Sequence, residues 1–397
     1  MTIIEFFDTE QLENIIGTLL FAPERAVLFG RDFKKMVAFQ KRAEMILKSK
    51  GIQTEISIVT VNTKNFAAVA DALRALTDRY PDAIFDLSGG EELVLAAMGA
   101  VAREKNISMQ TINPLTGRVR TFSASDTQKD EHRFSKLSVQ DAVLLFGGTV
   151  EDHVKSEEVL YHEKEIETLF QFCEKDPAVW NVAIEQISSF INEFDDKNTV
   201  SVSKSRLENG QKSGSKKMQY MNDIFEKIVS CGIANLTETD TKKIYRLKSN
   251  IAFSAISKAG TILELYTLLC VSKLQKEDGS PFFDDAMSGA VIDWKFPPDF
   301  HKEDDVENEI DVLLTKDAIP IFISCKNGSV DSNELYKLNT VAKRFGGKYA
   351  KKILLMTQFT PPKAFFARAQ EMNIRVIKNV HLLTKQEFME KLKLSVI

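Results

Sequence analysis

From Ala26 to Gly90 short apolar runs alternate with amphipathic stretches: AVLFG, DFKKMVAFQKRAEMILKSKG, IQTEISIV, NFAAVADALRALTDRY and AIFDLSGG. Brief apolar runs suit strands buried on both faces, and apolar positions spaced by three and four suit helices. The order reads strand, helix, strand, helix, strand and predicts a parallel sheet. A further helix (EELVLAAMGAVAREKN) and strand (ISMQTIN) follow, and Pro114 and Gly117 then turn the chain into an antiparallel partner, RVRTFSAS, near residue 125. After a polar stretch, LSVQDAVLLFGG predicts a short helix ending on Gly147 and Gly148. Residues 151 to 195 read as helical around Trp180, and residues 197 to 217, poor in large apolar side chains, as an exposed loop or hairpin.

From about residue 218 the pattern changes. It gives a helix (AGTILELYTLLCVSKL), three strands (GAVIDWKF, NEIDVLLT, PIFISCK), a helix (SNELYKLNTVAKRF), a strand (KKILLMT), a helix (KAFFARAQEM) and a strand (IRVI). The expected architecture is α/β, with a Rossmann-like domain over residues 1–148, a helical connector and exposed loop over 149–217, and an α-β-β-β-α-β domain over 218–397. A chain of 397 residues exceeds what one core usually holds, which agrees with two domains.

Composition narrows the chemistry. With a formal net charge of -4, no global basic field advertises nucleic acid, so any such contact must be local. Cys173, Cys231, Cys270 and Cys325 are dispersed, and His132, His153, His162, His301 and His381 lack metal-ligand spacing. The acidic N-terminus has no basic region followed by an apolar run, and no segment reaches a membrane-spanning length, so a cytoplasmic protein with reduced thiols is expected.

A period of two in NEIDVLLT places Glu309, Asp311 and Leu313 on one face and Ile310, Val312 and Leu314 on the other. In PIFISCK it places Phe322, Ser324 and Lys326 together. Paired as a hairpin, the two strands set Asp311 beside Lys326, with Glu264 presented by the apolar helix ILELYTLL beneath. Acids supply hard oxygen ligands for Mg²⁺ or Mn²⁺, and a lysine supplies a cation to orient or help deprotonate a water, which is the chemistry phosphodiester cleavage requires.

In the first domain DLSGGEEL places Ser88, Gly89 and Gly90 where a strand meets a helix, a junction whose backbone amides can receive phosphate. FGRD supplies Gly30 and Arg31 at the same carboxyl edge, and Asn113 follows a later strand there. No G-x-G-x-x-G follows AVLFG, which disfavours a nicotinamide cofactor.

These motifs carry two resemblances. The helix with Glu264, the strand with Asp311 and the strand ending in Lys326 resemble the PD-(D/E)XK nuclease superfamily over residues 218–397. There Ser324 stands at the position of the second acid, so that either Glu309 or Asp293 substitutes or the site is impaired. FGRD and LSGGEEL resemble the ligand loops of the CRISPR-associated Rossmann fold (CARF) domain, with Glu91 and Glu92 where many members are basic. The combination is similar to the CRISPR ancillary nucleases of type III systems. That resemblance implies a homodimer binding a cyclic oligoadenylate, usually cyclic tetra-adenylate, through Gly30, Arg31, Ser88, Gly89, Gly90 and Asn113. It also implies metal-dependent cleavage of single-stranded DNA or RNA, and nicking of DNA, with Glu264, Asp311 and Glu309 as ligands and Lys326 as the catalytic cation. Two alternatives remain: a nucleotide-responsive regulatory protein whose nuclease fold is impaired, and a restriction-type nuclease whose first domain recognises DNA. The absence of a basic patch in that domain argues against the second.

Overall fold

The computed structural model describes residues 1–123, 128–191, 196–212, 215–294, 307–357 and 361–397. The ends of RVRTFSAS and GAVIDWKF, together with His301, lie outside them.

The N-terminal sheet holds β1 (Thr2–Phe6), β2 (Arg25–Gly30), β3 (Glu55–Thr60), β4 (Ala83–Asp86), β5 (Ser108–Asn113), β6 (Arg118–Phe122) and β7 (Gln128–His132) in the order β3-β2-β1-β4-β5-β6-β7. The first five strands are parallel, and β6 and β7 complete an antiparallel edge. Helices α1 (Glu13–Phe21) and α2 (Phe33–Ser49) pack on one face, and α3 (Phe66–Arg79) and α4 (Glu92–Lys105) on the other. AVLFG is therefore the second strand, not the first. The strand before it, TIIEF, is buried throughout, but Glu5 in its middle looks solvent-facing in sequence although it is 3% exposed. Its position matters, because the strand order reverses between β1 and β4, where open parallel sheets accept ligands.

Helix α5 (Val139–Leu145) is a wedge between the two bodies: Val139 and Val143 join the core of the second, and Ala142 and Leu145 the core of the first. Residues 149–155 are strand β8 (Thr149–Lys155) rather than helix, the outer strand of the C-terminal sheet. A polar edge strand lacks the apolar run that betrays a central one. Three helices follow as expected, α6 (Ser156–Tyr161), α7 (Glu163–Lys175) and α8 (Pro177–Ser188). The stretch read as an exposed loop contains β9 (Thr199–Ser203), with Val200 and Val202 buried, and α9 (Lys204–Lys212). After α10 (Lys216–Ser230), β10 (Ala234–Glu238) and β11 (Lys242–Leu247) pair with β9 in a small sheet of order β10-β11-β9.

Then come α11 (Asn250–Ser257), α12 (Thr261–Ser272), β12 (Asp285–Asp293), β13 (Glu307–Lys316), β14 (Ile319–Lys326), α13 (Ser332–Gly346), β15 (Lys351–Met356), α14 (Lys363–Glu371), β16 (Ile374–Ile377) and α15 (Lys385–Leu394). Their sheet has the order β16-β15-β14-β13-β12-β8. Helix α12 fills one face against Val312, Leu314, Ile321 and Ile323, and α13 and α14 cover the other against Leu313, Phe322 and Leu354. Helices α7 and α8 extend the α12 layer, with the Phe170 ring stacked on Tyr266 at 3.7 Å and Trp180 fully buried.

The Trp180 indole also donates to the Ala259 carbonyl at 3.0 Å, beside the start of α12. Trp180→Ala should lower the stability of the C-terminal body by about 3–5 kcal/mol, read as an earlier urea midpoint. Trp180→Phe should recover most of it, and an unchanged midpoint in the alanine variant would refute this packing.

Candidate functional site

Hairpin β13–β14 turns through Asp317 and Ala318, both at positive φ. The register Val312↔Ile323 then brings Asp311 alongside Ser324. Asp311 Oδ2 accepts from the Cys325 backbone amide at 2.6 Å and the Ser324 hydroxyl at 3.1 Å, and lies 3.7 Å from Lys326 Nζ. The residue that replaces the expected acid thus holds the remaining carboxylate in place. Lys326 Nζ is also 2.9 Å from Glu334 Oε2 on α13, a partner the strand pattern does not reveal. Burial works against the lysine's charge, and Asp311 and Glu334 outweigh it, so its pKa is raised and it stays an ammonium at neutral pH.

Strict alternation is broken at Asp311. Leu313 and Ile310 both face the α13 core, while Val312 and Leu314 face α12. The β12–β13 ladder skips the pair Gly289–Asp311 while keeping its register on either side, Gly289 has φ +61°, and the β12–β8 pairing shifts register over the same stretch, a local irregularity that re-aims neighbouring side chains.

Glu264, in the first turn of α12, is 5% exposed. Burial, and then the charge of Asp311, push its carboxyl from the ordinary 4.5 up to about 8. Glu309 stands at the mouth and pairs with Lys258 Nζ at 3.1 Å. Asp293 ends β12, in register with Thr149 and Glu307, and does not line the cavity of about 310 Å³ that holds Lys258, Glu309, Asp311, Ser324, Lys326 and Glu334. Among the described residues no three His, Cys, Asp or Glu side chains are gathered as a metal-holding group. Glu264 does not line this cavity either, and it is linked to Asp311 through charge rather than a direct contact; carboxylates of this kind offer hard oxygens that could hold a divalent cation.

At the sensor edge the expected residues divide. Ser88 and Asn113 line a cavity of about 600 Å³ with Arg118, Arg120, His132 and Tyr349. Ser88 bridges two elements, donating to Asp86 and accepting from the Ile112 amide at 2.8 Å, while Asn113 Oδ1 accepts from the Leu115 and Thr116 amides and shapes the β5–β6 turn. The Gly90 amide, expected to face a phosphate, instead donates to Asp8 Oδ2 at 3.0 Å, and Gly89 packs against Asp8 and Glu13. Gly30 lies against Phe7 and Met36, and Arg31 pairs with Glu91 at 3.4 Å. The loop after β1, missed with the strand itself, thus grips the glycine junction. Its carboxylates make the β1–β4 crevice acidic, and the guanidinium groups lie over β6 instead.

The same loop meets the C-terminal body. Glu13, 4% exposed, pairs with Lys348 Nζ at 2.8 Å and accepts from the Tyr349 hydroxyl, and Glu10 Oε2 accepts from the Lys348 amide at 2.9 Å. Lys343 and Arg344 at the end of α13, and Lys348 just after it, belong to this junction and do not line the acid-lysine cavity.

No protein-family model matches the sequence, and no curated protein matches it. Among solved structures, protein VC1899 from Vibrio cholerae superposes with a TM-score of 0.74 at 16% identity, covering 100% of this chain and 98% of that one. Can2 from Sulfobacillus thermosulfidooxidans, solved in complex with cyclic tetra-adenylate, superposes with a TM-score of 0.65 at 15% identity, covering 100% and 97%. The chain has the fold of these two proteins. The likeness spans both bodies and the segment between them, so this order of a Rossmann-like sheet, helices and a mixed second sheet is a shared whole-chain architecture. Among the described residues no helix is long and apolar enough to cross a membrane.

The raised carboxyl of Glu264 has a definite sign. In metal-free protein the folded state keeps a proton that the unfolded state has lost between about pH 4.5 and about 8, so stability should fall as pH rises through that window. Glu264→Gln should flatten this slope and melt higher than the parent at pH 8 in EDTA. An equal slope in both proteins would remove Glu264 from the buried pair.

Proposed function

We propose that this protein is a metal-dependent nuclease switched on by a cyclic oligoadenylate, acting in type III CRISPR defence as a homodimer. The observation that carries the catalytic half is Asp311 beside the Lys326 ammonium, with the buried Glu264 near enough to feel the charge of Asp311. The regulatory half is supported by the fold shared along the whole chain with a protein solved with cyclic tetra-adenylate.

Glu264 and Asp311 would hold Mn²⁺ or Mg²⁺, with Glu309 at the mouth, and the bound ion would acidify a water and neutralise charge on the attacked phosphate. The protein's own residues do the positioning. The Cys325 amide and Ser324 hydroxyl fix Asp311, and Glu334 and Asp311 hold Lys326 as a cation able to orient the water and stabilise the charge that develops on the phosphate oxygens. A lysine whose pKa is raised is a poor base, so its role is electrostatic. Single-stranded DNA or RNA is the expected substrate, since an exposed strand reaches a recessed acid cluster more readily than a paired one.

On the sensor, Arg118 and Arg120 on β6 and His132 on β7, with Ser88 and Asn113, are the groups suited to ligand phosphates, which would have to compete with Asp130, the present partner of both arginines, whereas the β1–β4 crevice is lined by carboxylates. A two-fold ring presented to two such cavities matches a symmetric dimer. Tyr349 lines this cavity and also bonds Glu13. Helix α13 leads from that contact back to Glu334 and Lys326, a continuous mechanical connection of about 22 Å.

The deciding experiment is cleavage of single-stranded DNA, single-stranded RNA and supercoiled plasmid in Mn²⁺, with and without cyclic tetra-adenylate. Cleavage is expected only with the activator, and none under any condition would favour a regulatory binding protein with an impaired nuclease site. Asp311→Asn and Lys326→Ala should each lower cleavage at least about a hundredfold while cyclic tetra-adenylate still binds in calorimetry. Full activity in either variant refutes the site. Lys348→Ala should lower the activated rate while cyclic tetra-adenylate still binds in calorimetry, and an unchanged activated rate would remove the junction from the switch.

A further inference from the structure

A cavity of about 760 Å³ lies between the two bodies and is separate from both sites above. We propose that it is a phosphate-binding site in which Arg42 of the first body and Arg344 of the second clamp one anion.

The two guanidinium groups converge on Gly147: a Cβ there would lie 3.7 Å from Arg42 Nη1 and 4.0 Å from Arg344 Nη2. Their hydrogen-bond partners are all neutral. Arg42 donates to the Leu145 carbonyl at 3.2 Å and Gln11 Oε1 at 3.4 Å, and Arg344 to the carbonyls of Phe146 at 2.6 Å and Trp294 at 3.4 Å. Among the described residues neither has a carboxylate partner. Lys35 and Lys343 add positive charge to the lining, and the carboxylate that reaches it, Glu10, is bonded to the Lys348 amide. Burial, then the charge of Arg344, hold the Arg42 pKa below its usual value, the signature of like charges facing each other without a counterion.

Such an arrangement is costly unless an anion completes it. A phosphate does so well, because each guanidinium presents a fork matched to two phosphate oxygens. The aromatic lining adds a preference for nucleotides: Phe146 and Trp294 border the cavity, Arg344 lies 5.8 Å from the Trp294 ring centre, and the buried Trp294 Nε1 has no acceptor among the described residues. Bases stack on such rings and strand phosphates pair with such cations. Because one arginine comes from each body, an occupied site would also brace them against each other. This inference stands on binding alone and needs neither the cleavage reaction nor the activator.

The test is calorimetry on the full-length protein in EDTA, with potassium phosphate in one arm and a short 5′-phosphorylated single-stranded oligonucleotide in the other. Arg42→Gln and Arg344→Gln are each expected to weaken binding about tenfold or more, equivalent to about 1.4 kcal/mol. Arg42→Lys should retain part of it. Phosphate binding that both glutamine variants lose identifies a site for free phosphate, and the same loss seen only with the oligonucleotide identifies a strand site. Circular dichroism checks folding, and if Arg344→Gln does not fold, Arg42→Gln decides. No binding in either arm, or equal binding by the parent and the glutamine variants, overturns the proposal.

Discussion

Beside the apolar wedge of α5, a buried carboxylate ties together the two halves of this molecule. Glu13 sits in the first turn of α1, and the groups that neutralise it, the Lys348 ammonium and the Tyr349 hydroxyl, both belong to the other body. Lys348 is 49% exposed, so water screens its half of the pair, whereas the buried Glu13 would lose its partners without gaining hydration if the bodies parted here. The bodies meet where Gly347, at φ +61°, lets the backbone press against Glu10. The loop holding Glu10 and Glu13 also supplies Asp8 to the Gly90 amide. One loop thus touches the sensor's glycine junction on one side and the turn after α13 on the other.

That arrangement explains which parts of the protein were legible in its sequence. The strands and helices from α12 to β16 follow directly from apolar spacing, since their cores are continuous apolar surfaces, whereas α15 is not part of that pattern. Asp311 and Lys326 were visible because a carboxylate and an ammonium interrupt apolar strands, and Glu264 because it is a charge inside an otherwise apolar helix. What escaped was polar pairing over long sequence distance. Glu334 is an ordinary surface residue until α13 folds over Lys326, and Glu13 until Lys348 arrives from more than three hundred residues away. Strand β1 escaped for a related reason, because Glu5 is a buried acid whose carboxyl is pushed well above its usual range by burial and by Asp86 in register beside it.

The sensor shows where a motif and its electrostatics part company. Paired glycines at a strand–helix junction suggest an anion cradle, and two such glycines are in place. Yet Asp8 occupies one amide, Glu13 adjoins the other glycine, and Asp86 lies buried at the end of β4. A phosphate there would face carboxylates across a short distance in a poorly screened crevice, where like charges repel by several kcal/mol at separations near 4 Å. Two turns of chain away, Arg118 and Arg120 project from β6 toward the cavity that Ser88 and Asn113 share. Sequence identifies the edge of the sheet, and charge selects the place along it.

Ser324 is the instructive departure in the second body. A third acid at that position would place another negative charge beside Asp311 and raise the Glu264 carboxyl further still. With serine, the position contributes a neutral donor at 3.1 Å that fixes Asp311 without adding charge. The site then carries less negative charge, and the buried Glu264, its carboxyl already raised by burial and by Asp311, is spared a further like charge. The same substitution lowers the attraction for a cation, since ligand charge count sets affinity among hard-oxygen sites. A site built in this way is closer to neutral and would hold a metal less tightly than one with a third acid, and the Cys325 amide, Ser324 and Lys326 fix Asp311 without help from an ion.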